Sequence, residues 1–230
     1  MHATPHPSPN FGERHGGVRP DLVVIHHTAM SSHAAALARL CDPAAEVSAH
    51  YLIAQDGQCL ALVPEPLRAW HAGAGAWGSV RDVNSRSIGI ELANDGAQPY
   101  PLAQMQALAA VLAAVMARWA VPPERVIAHS DMAPGRKADP GPRFDWRALA
   151  LAGLSVWPQP GGAAEPGTFW ASARSFGYPD AAPGDVLAAF RLRFRPQAAG
   201  PLEAADAALA ADLAARFPVM FAVDPPSPTA

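Results

Sequence analysis

One long amphipathic helix, set among short β-branched segments, is the feature that most constrains how this chain can fold. From Pro101 onward, apolar residues recur every three or four positions as far as Trp119, which predicts a helix with one buried face. Pro101 suits a first helical turn, and Pro122-Pro123 prevents continuation. The segments 22–26, 87–92 and 126–128 are short and apolar, which favours buried strands around this helix.

A hairpin and a shorter helix complete the pattern. Segments 48–54 and 59–63 flank the turn dipeptide Asp56-Gly57 and predict two antiparallel strands. Ser31-Ser32 can cap a helix over 33–40. The resulting order of elements predicts an α/β domain with a mixed central β-sheet flanked by helices.

Composition shifts divide the chain further. We expect an irregular arm over 1–20, a first domain over 21–154, and a linker over 155–167, where Pro and Gly are concentrated. Residues 168–218 show helical spacing throughout and predict a small C-terminal three-helix bundle. Residues 219–230 form a Pro-rich tail.

Charge and hydropathy exclude several partners. Seventeen Lys and Arg against twenty Asp and Glu leave a net charge of -3, which argues against nucleic-acid binding. No apolar run approaches the length expected of a membrane-spanning helix. The first residues lack the pattern of a signal peptide, so the sequence predicts a cytoplasmic protein.

The loop 128–141 contains the residues with the clearest potential for chemistry. His129 and Asp139 lie in this Pro- and Gly-rich segment and can both reach one metal ion. Far upstream, the pair His26-His27 ends a predicted strand. Two imidazoles and a carboxylate form a reasonable zinc set, although a single His at a strand end is more often structural. Strand alternation alone does not choose between His26 and His27.

Two further charged residues accompany this set. Glu91 lies inside the apolar run 87–92, where a carboxylate is costly unless it is paired or functional. It is either a buried Glu satisfied by a backbone amide or Arg86, or a general base beside a metal-activated water. Lys137 is either a solvated loop cation or a group that stabilises an oxyanion.

Six segments, in this order, carry a family resemblance: SPNFGERHGG, LVVIHHTA, VSAHYLIAQDG, WHAGAG, NSRSIGIELAN and AHSDMAPGRKADPG. They span about residues 8–145. The chain resembles the zinc-dependent N-acetylmuramoyl-L-alanine amidases of the type 2 class (AmpD- and AmiD-like), which are related to peptidoglycan recognition proteins. The resemblance implies that 21–154 is a zinc amidase domain.

The resemblance also assigns roles to the residues of this site. It implies that one Zn²⁺ per chain is held by His26, His129 and Asp139. It implies that Glu91 activates the water and that Lys137 stabilises the tetrahedral oxyanion. The choice of His26 over His27 rests on the resemblance and not on spacing.

The same family lines its substrate groove with residues near WHAGAG. The groove candidates are Trp70 and His71, with weaker candidates at Tyr51, Asn84 and Arg86. A core aromatic is the alternative for Trp70.

The expected reaction is hydrolysis of the amide bond between N-acetylmuramic acid, or its 1,6-anhydro form, and L-alanine of the stem peptide. A non-catalytic peptidoglycan-binding module of the same fold is the alternative. The bundle at 168–218 resembles a small peptidoglycan-binding module, or else it is a packing appendage. Peptidoglycan fragments are the expected partners of a monomeric enzyme. The bundle favours the periplasm or outer membrane, against the cytoplasmic expectation from the N-terminus.

Overall fold

The structure, a computed structural model, describes residues 3–30, 32–159, 161–162 and 164–219. The strands are β1 (Thr4–Pro5), β2 (Phe11–Gly12), β3 (Leu22–His27), β4 (Tyr51–Ile53), β5 (Cys59–Ala61), β6 (Arg68–Ala69), β7 (Ser87–Leu92) and β8 (Val126–Ala128). The helices are α1 (His33–Cys41), α2 (Val83–Arg86), α3 (Leu102–Trp119), α4 (His129–Met132), α5 (Trp146–Leu151), α6 (Phe169–Phe176), α7 (Pro183–Phe194) and α8 (Ala204–Arg216).

Some predicted features fall on residues that are not described. Ser31, half of the expected cap, lies outside the described residues, whereas the Ser32 side chain accepts a hydrogen bond from the backbone of Ala35 at the start of α1. Most of the expected tail (220–230) and the first two residues of the arm also lie outside them.

A six-stranded mixed sheet forms the centre of the fold, in the order β1-β5-β4-β7-β3-β8. Strand β3 pairs in parallel with β7 and β8, and β4 pairs in parallel with β7. The predicted hairpin is present as the antiparallel pair β4–β5. The predicted α/β class with a mixed sheet is therefore confirmed.

Helix α3 covers one face of the sheet. Its buried stripe includes Leu108, Leu112 and Val115, which pack in one cluster with Ile25 of β3 and Ile90 of β7. By length and composition alone, this helix could cross a membrane. This finding differs from the expectation that no apolar run approaches the necessary length, but it is weak evidence of a span, because core helices that pack on a sheet, as α3 does, pass the same test.

The opposite face is covered in two places. Helix α1 packs Ala36 and Leu40 on the hairpin. The C-terminal helices pack on the other side, where their buried residues share a cluster with Val24 of β3 and Ile127 of β8. The part of this face between α1 and the C-terminal helices lies at the carboxyl ends of the central strands.

The C-terminal helices and the sheet share this hydrophobic core. Val156, at the start of the expected linker, is buried in it. A fully buried ion pair joins the two parts, because Arg193 of α7 donates a 2.6 Å hydrogen bond to Asp131 of α4. Tyr178 donates to the other oxygen of that carboxylate at 2.6 Å. Helix α4, which begins with His129, is thereby fastened to the bundle.

Candidate active site

Three parallel strands end together at the site. Residues His26 and Glu91 are direct neighbours across β3 and β7, and both point to the face that α3 does not cover. His129 follows immediately after β8, the other neighbour of β3. The carboxyl ends of parallel strands meet at one edge of the sheet, so the strand order alone brings these three side chains together.

His26, His129 and Asp139 form a tight cluster of possible metal ligands. The Nδ1 atoms of the two imidazoles are 2.8 Å apart. Asp139 Oδ2 lies 3.1 Å from His26 Nδ1 and 3.0 Å from His129 Nδ1. All three residues are buried. His26 therefore belongs to this cluster, whereas the ring of His27 lies near the backbone carbonyl of Asn94.

Backbone contacts bring Asp139 beside His129. The amide of Ser130 donates to the carbonyl of Asp139 at 3.0 Å, which closes the ten-residue excursion between the two side chains. The amide of Lys137 donates to the carbonyl of Ala133, forming a turn inside that excursion. The loop is therefore held at its base and folded back upon itself.

The tautomer of His129 is fixed by the segment after Trp70. His129 Nε2 lies 2.9 Å from the carbonyl oxygen of Ala72, so Nε2–H donates and Nδ1 keeps its lone pair toward the cluster. Arg136 donates to the carbonyls of Ala72 and Ala74 and holds this segment in place.

Burial and mutual contacts shift the pKa values of the cluster. Burial first, and then the neighbouring His129, lower the pKa of His26 to about 4. Burial alone would raise the pKa of Asp139, but its contacts with the imidazoles of His129 and His26 outweigh burial and hold this pKa below its ordinary value. At neutral pH the cluster therefore offers a neutral His26 and an ionised Asp139, as metal ligation requires.

Glu91 carries an oxygen without a hydrogen-bond partner. Its Oε2 is buried and unsatisfied among the described residues. Burial first, and then the charge of Asp139, raise the pKa of Glu91 to about 8, while Lys137 opposes the rise. The alternative of a carboxylate satisfied by Arg86 is wrong, because Arg86 lies at the other end of β7 and pairs with Asp21.

A cleft of about 220 Å³ opens above this cluster. One wall comes from α1 and the segments beside it, and includes Met30 and Arg39. Trp70, His71 and the exposed Lys137 also line the cleft. Trp70 is half-buried and is anchored through its backbone to Ser48, so it lines the cleft and is not a core aromatic.

The other three groove candidates lie elsewhere. Tyr51 is opposite Ile90 in the sheet register, which turns its side chain to the α3 face, where it donates to Glu65. Arg86 lies at the amino end of β7. Asn84 is buried and accepts hydrogen bonds from the backbone amides of His71 and Ala72, so it supports the cleft wall from behind. The structure thus corrects the placement of these three in the groove.

Two further residues support the site. The role of Arg136 depends on carbonyls more than sixty positions away, which no local sequence pattern indicates. Gly89 is required because a Cβ at that position would overlap the ring of His71. A glycine inside a strand signals such a close approach, and this signal was available in the run 87–92.

The chain is similar to known proteins in sequence and in structure. The residue profile of the N-acetylmuramoyl-L-alanine amidase family matches residues 16–142, which contain all three members of the cluster, Glu91 and Lys137. The chain belongs to this amidase family. The predicted family is therefore confirmed, and with it the expectation that the chain is an amide hydrolase.

Individual members of the family match over most of the chain. The amidase AmiD of Escherichia coli K12 is 37% identical over 216 residues, which cover 77% of this amidase and 76% of the relative. The 1,6-anhydro-N-acetylmuramyl-L-alanine amidase AmpD of Salmonella typhimurium SL1344 is 36% identical over 167 residues, covering 65% of this amidase and 89% of the relative.

Solved structures agree in fold. E. coli AmiD, in complex with the substrate anhydro-N-acetylmuramic acid-L-Ala-D-γ-Glu-L-Lys, superposes with a TM-score of 0.78 at 32% identity, over 90% of this amidase and 98% of that chain. AmpDh3 of Pseudomonas aeruginosa, in complex with anhydromuramic pentapeptide, gives a TM-score of 0.78 at 31% identity, over 88% and 94%.

Proposed function

We propose that this amidase uses one zinc ion to hydrolyse the bond between N-acetylmuramic acid, or its 1,6-anhydro form, and L-alanine of the stem peptide. The observation that carries the proposal is the buried cluster of His26, His129 and Asp139 beneath an open cleft. The substrates bound to AmiD and AmpDh3 support the choice of muropeptides.

The cluster fits a zinc ion in size and chemistry. In a tetrahedral zinc site, the Zn–N and Zn–O bonds are about 2.0–2.1 Å long, so two ligand atoms lie about 3.3 Å from each other. The three distances between the ligand atoms are 2.8–3.1 Å, so a small outward movement of the side chains is enough to admit a zinc ion. Three protein ligands would leave one coordination position for water or substrate, as in catalytic zinc sites.

A bound zinc ion would supply Lewis-acid polarisation of the scissile carbonyl and acidify a water. Glu91 is placed to take up a proton at its unsatisfied Oε2 and to return it to the leaving amine of L-alanine. A divalent cation beside it would lower its pKa from about 8, which favours the basic form at neutral pH.

Lys137 is assigned to charge stabilisation. It lies at the cleft beside Glu91 and Asp139, and its backbone is fixed by Ala133. An ammonium there stabilises negative charge as it develops on the carbonyl oxygen. The stabilisation applies to the transition state more than to the bound substrate, so Lys137 affects kcat more than KM.

The cleft walls suggest how the rest of the substrate is held. Trp70 presents an aromatic face that a sugar ring can contact. The exposed Arg39 also lines the cleft, and its side chain makes no hydrogen bond or ion pair with any residue that the structure describes. The ligand bound to AmiD contains a γ-linked D-Glu, whose α-carboxylate is free, two residues from the sugar. We infer that Arg39 pairs with this carboxylate.

The compartment is a separate proposal. We place the amidase in the cytoplasm, acting as a monomer on soluble 1,6-anhydro muropeptides, with the periplasm or outer membrane as the alternative. Under that alternative the C-terminal bundle (168–218) binds intact peptidoglycan. Cell fractionation and a comparison of anhydro with reducing muropeptides distinguish the two, since a sacculus enzyme should accept reducing ends equally.

The decisive experiment uses Glu91→Gln, which keeps shape and removes the base. We expect this variant to retain zinc after dialysis and to lose turnover of an anhydro-muropeptide by more than about a hundredfold. Full activity would remove Glu91 from the mechanism. If the unaltered protein binds muropeptide and zinc but releases no peptide, the chain is a binding module.

A further inference from the structure

His71 lies directly behind His26, on the side away from the metal cluster. His71 Nδ1 is 3.0 Å from His26 Nε2. The other ring nitrogen, Nε2, is 3.2 Å from Ser87 Oγ, and the Ser87 hydroxyl lies 2.6 Å from the carbonyl of Val83. A continuous chain of hydrogen bonds therefore runs from His26 into the backbone of α2.

Only one arrangement of protons satisfies this chain when His26 binds a metal through Nδ1. The proton of His26 must then be on Nε2, where it is donated to His71 Nδ1. His71 carries its own proton on Nε2 and donates it to Ser87, whose hydroxyl donates to Val83. Every donor has one acceptor, and the fixed carbonyl at the end determines the direction.

The surroundings hold the His71 ring in this position. Its backbone amide donates to the buried side chain of Asn84 at 3.0 Å. The ring lies against Gly89, where any Cβ would overlap it. His26 and His71 also meet edge to face, with ring centroids 5.0 Å apart. Contacts to its backbone amide, to both ring nitrogens and to the face of the ring therefore fix the position of His71.

We infer that His71 is a positioning residue that fixes the tautomer and ring orientation of His26 so that Nδ1 is available to the metal. The inference rests on the proposed metal site. His71 also lines the cleft, so this positioning role adds to the prediction that it belongs to the groove. Outer hydrogen-bond partners of metal-bound imidazoles typically contribute 10- to 100-fold to metal affinity.

The test measures zinc affinity by competition with a chromophoric chelator. His71→Phe keeps an aromatic ring and removes the acceptor, so we expect zinc affinity to fall about 10- to 100-fold. His71→Asn places an amide oxygen near the former Nδ1, and we expect affinity within about threefold of the unaltered protein. The control is His15→Asn, since His15 is exposed and pairs with Asp82 away from the cluster, and its zinc affinity should not change.

A second measurement needs no variant. Long-range ¹H–¹⁵N spectra of the zinc-loaded protein should show both His26 and His71 protonated on Nε2. Zinc affinity that is unchanged in His71→Phe, or a proton on Nδ1 of His71, would overturn the inference. Absence of zinc binding by the unaltered protein would instead refute the proposed function, so the two failures are distinguishable.

Discussion

Replacing Glu91 by Gln should stabilise the metal-free protein, and the gain should grow with pH. The carboxylate is partly buried beside Asp139, and its Oε2 finds no partner among the described residues. Burial raises its pKa from 4.5 to about 8, so the folded state holds a proton that the unfolded state releases. A raised carboxylate pKa therefore makes folding less favourable as pH rises between these two values.

The magnitude follows from linkage. Each pH unit between the two pKa values costs about 1.4 kcal/mol, which gives an upper limit of about 5 kcal/mol above about pH 8. Water at the cleft mouth reduces the effect, and we expect about 2–3 kcal/mol. Below about pH 4 both states are protonated and the difference vanishes.

The assay compares thermal melts of the zinc-free protein and Glu91→Gln between about pH 5 and pH 9. A difference of 2–3 kcal/mol corresponds to a rise in Tm of roughly 4–12 °C for a chain of this size. The rise should be largest at high pH and should shrink when zinc is added, because the cation pairs with the carboxylate only in the unaltered protein. A difference that is independent of pH, or largest in acid, would refute the reasoning.

Three further predictions address other parts of the molecule. Asp139→Ala should weaken zinc binding and leave substoichiometric metal after dialysis, as elemental analysis would show; unchanged zinc content would exclude it as a ligand. Arg193→Met should lower the free energy of unfolding, measured by urea titration, by about 3–5 kcal/mol, because Asp131 then remains buried without its charged partner. The control is Arg174→Ala, which removes the exposed Arg174–Asp180 pair and should lower it by less than about 1 kcal/mol. Arg39→Ala should raise KM for a muropeptide with D-Glu at position two and leave KM for its amidated analogue unchanged; equal effects on both would exclude the proposed ion pair.

Local patterns predicted the fold well where one signal dominated. The prolines at positions 101 and 122 bracket a helix found at Leu102–Trp119, and the alternating run 87–92 is the strand Ser87–Leu92. These elements depend on steric rules and on the burial of one face, which short segments encode. A stripe that packs on a sheet and a stripe that faces lipid have similar composition, so the apolar length of α3 does not by itself distinguish a core helix from a membrane span.

The candidate site was partly accessible from sequence. Residues at strand ends, such as His26 and Glu91, could be placed because sheet topology brings them together. Tyr51 was misplaced because the face of a strand depends on register, and a shift of one residue reverses it. The contacts of Arg136 and His71 join segments far apart in the chain, so no local pattern could reveal them.

The most direct test of the account combines zinc and turnover in one titration. An anhydro-muropeptide should release its stem peptide when incubated with the protein as purified, and should remain intact after the metal is removed by a chelator. Adding back one equivalent of zinc should restore the release, with the new amine at L-alanine identified by mass spectrometry. Peptide release that is unaffected by metal removal, or cleavage at any other bond, would contradict the account.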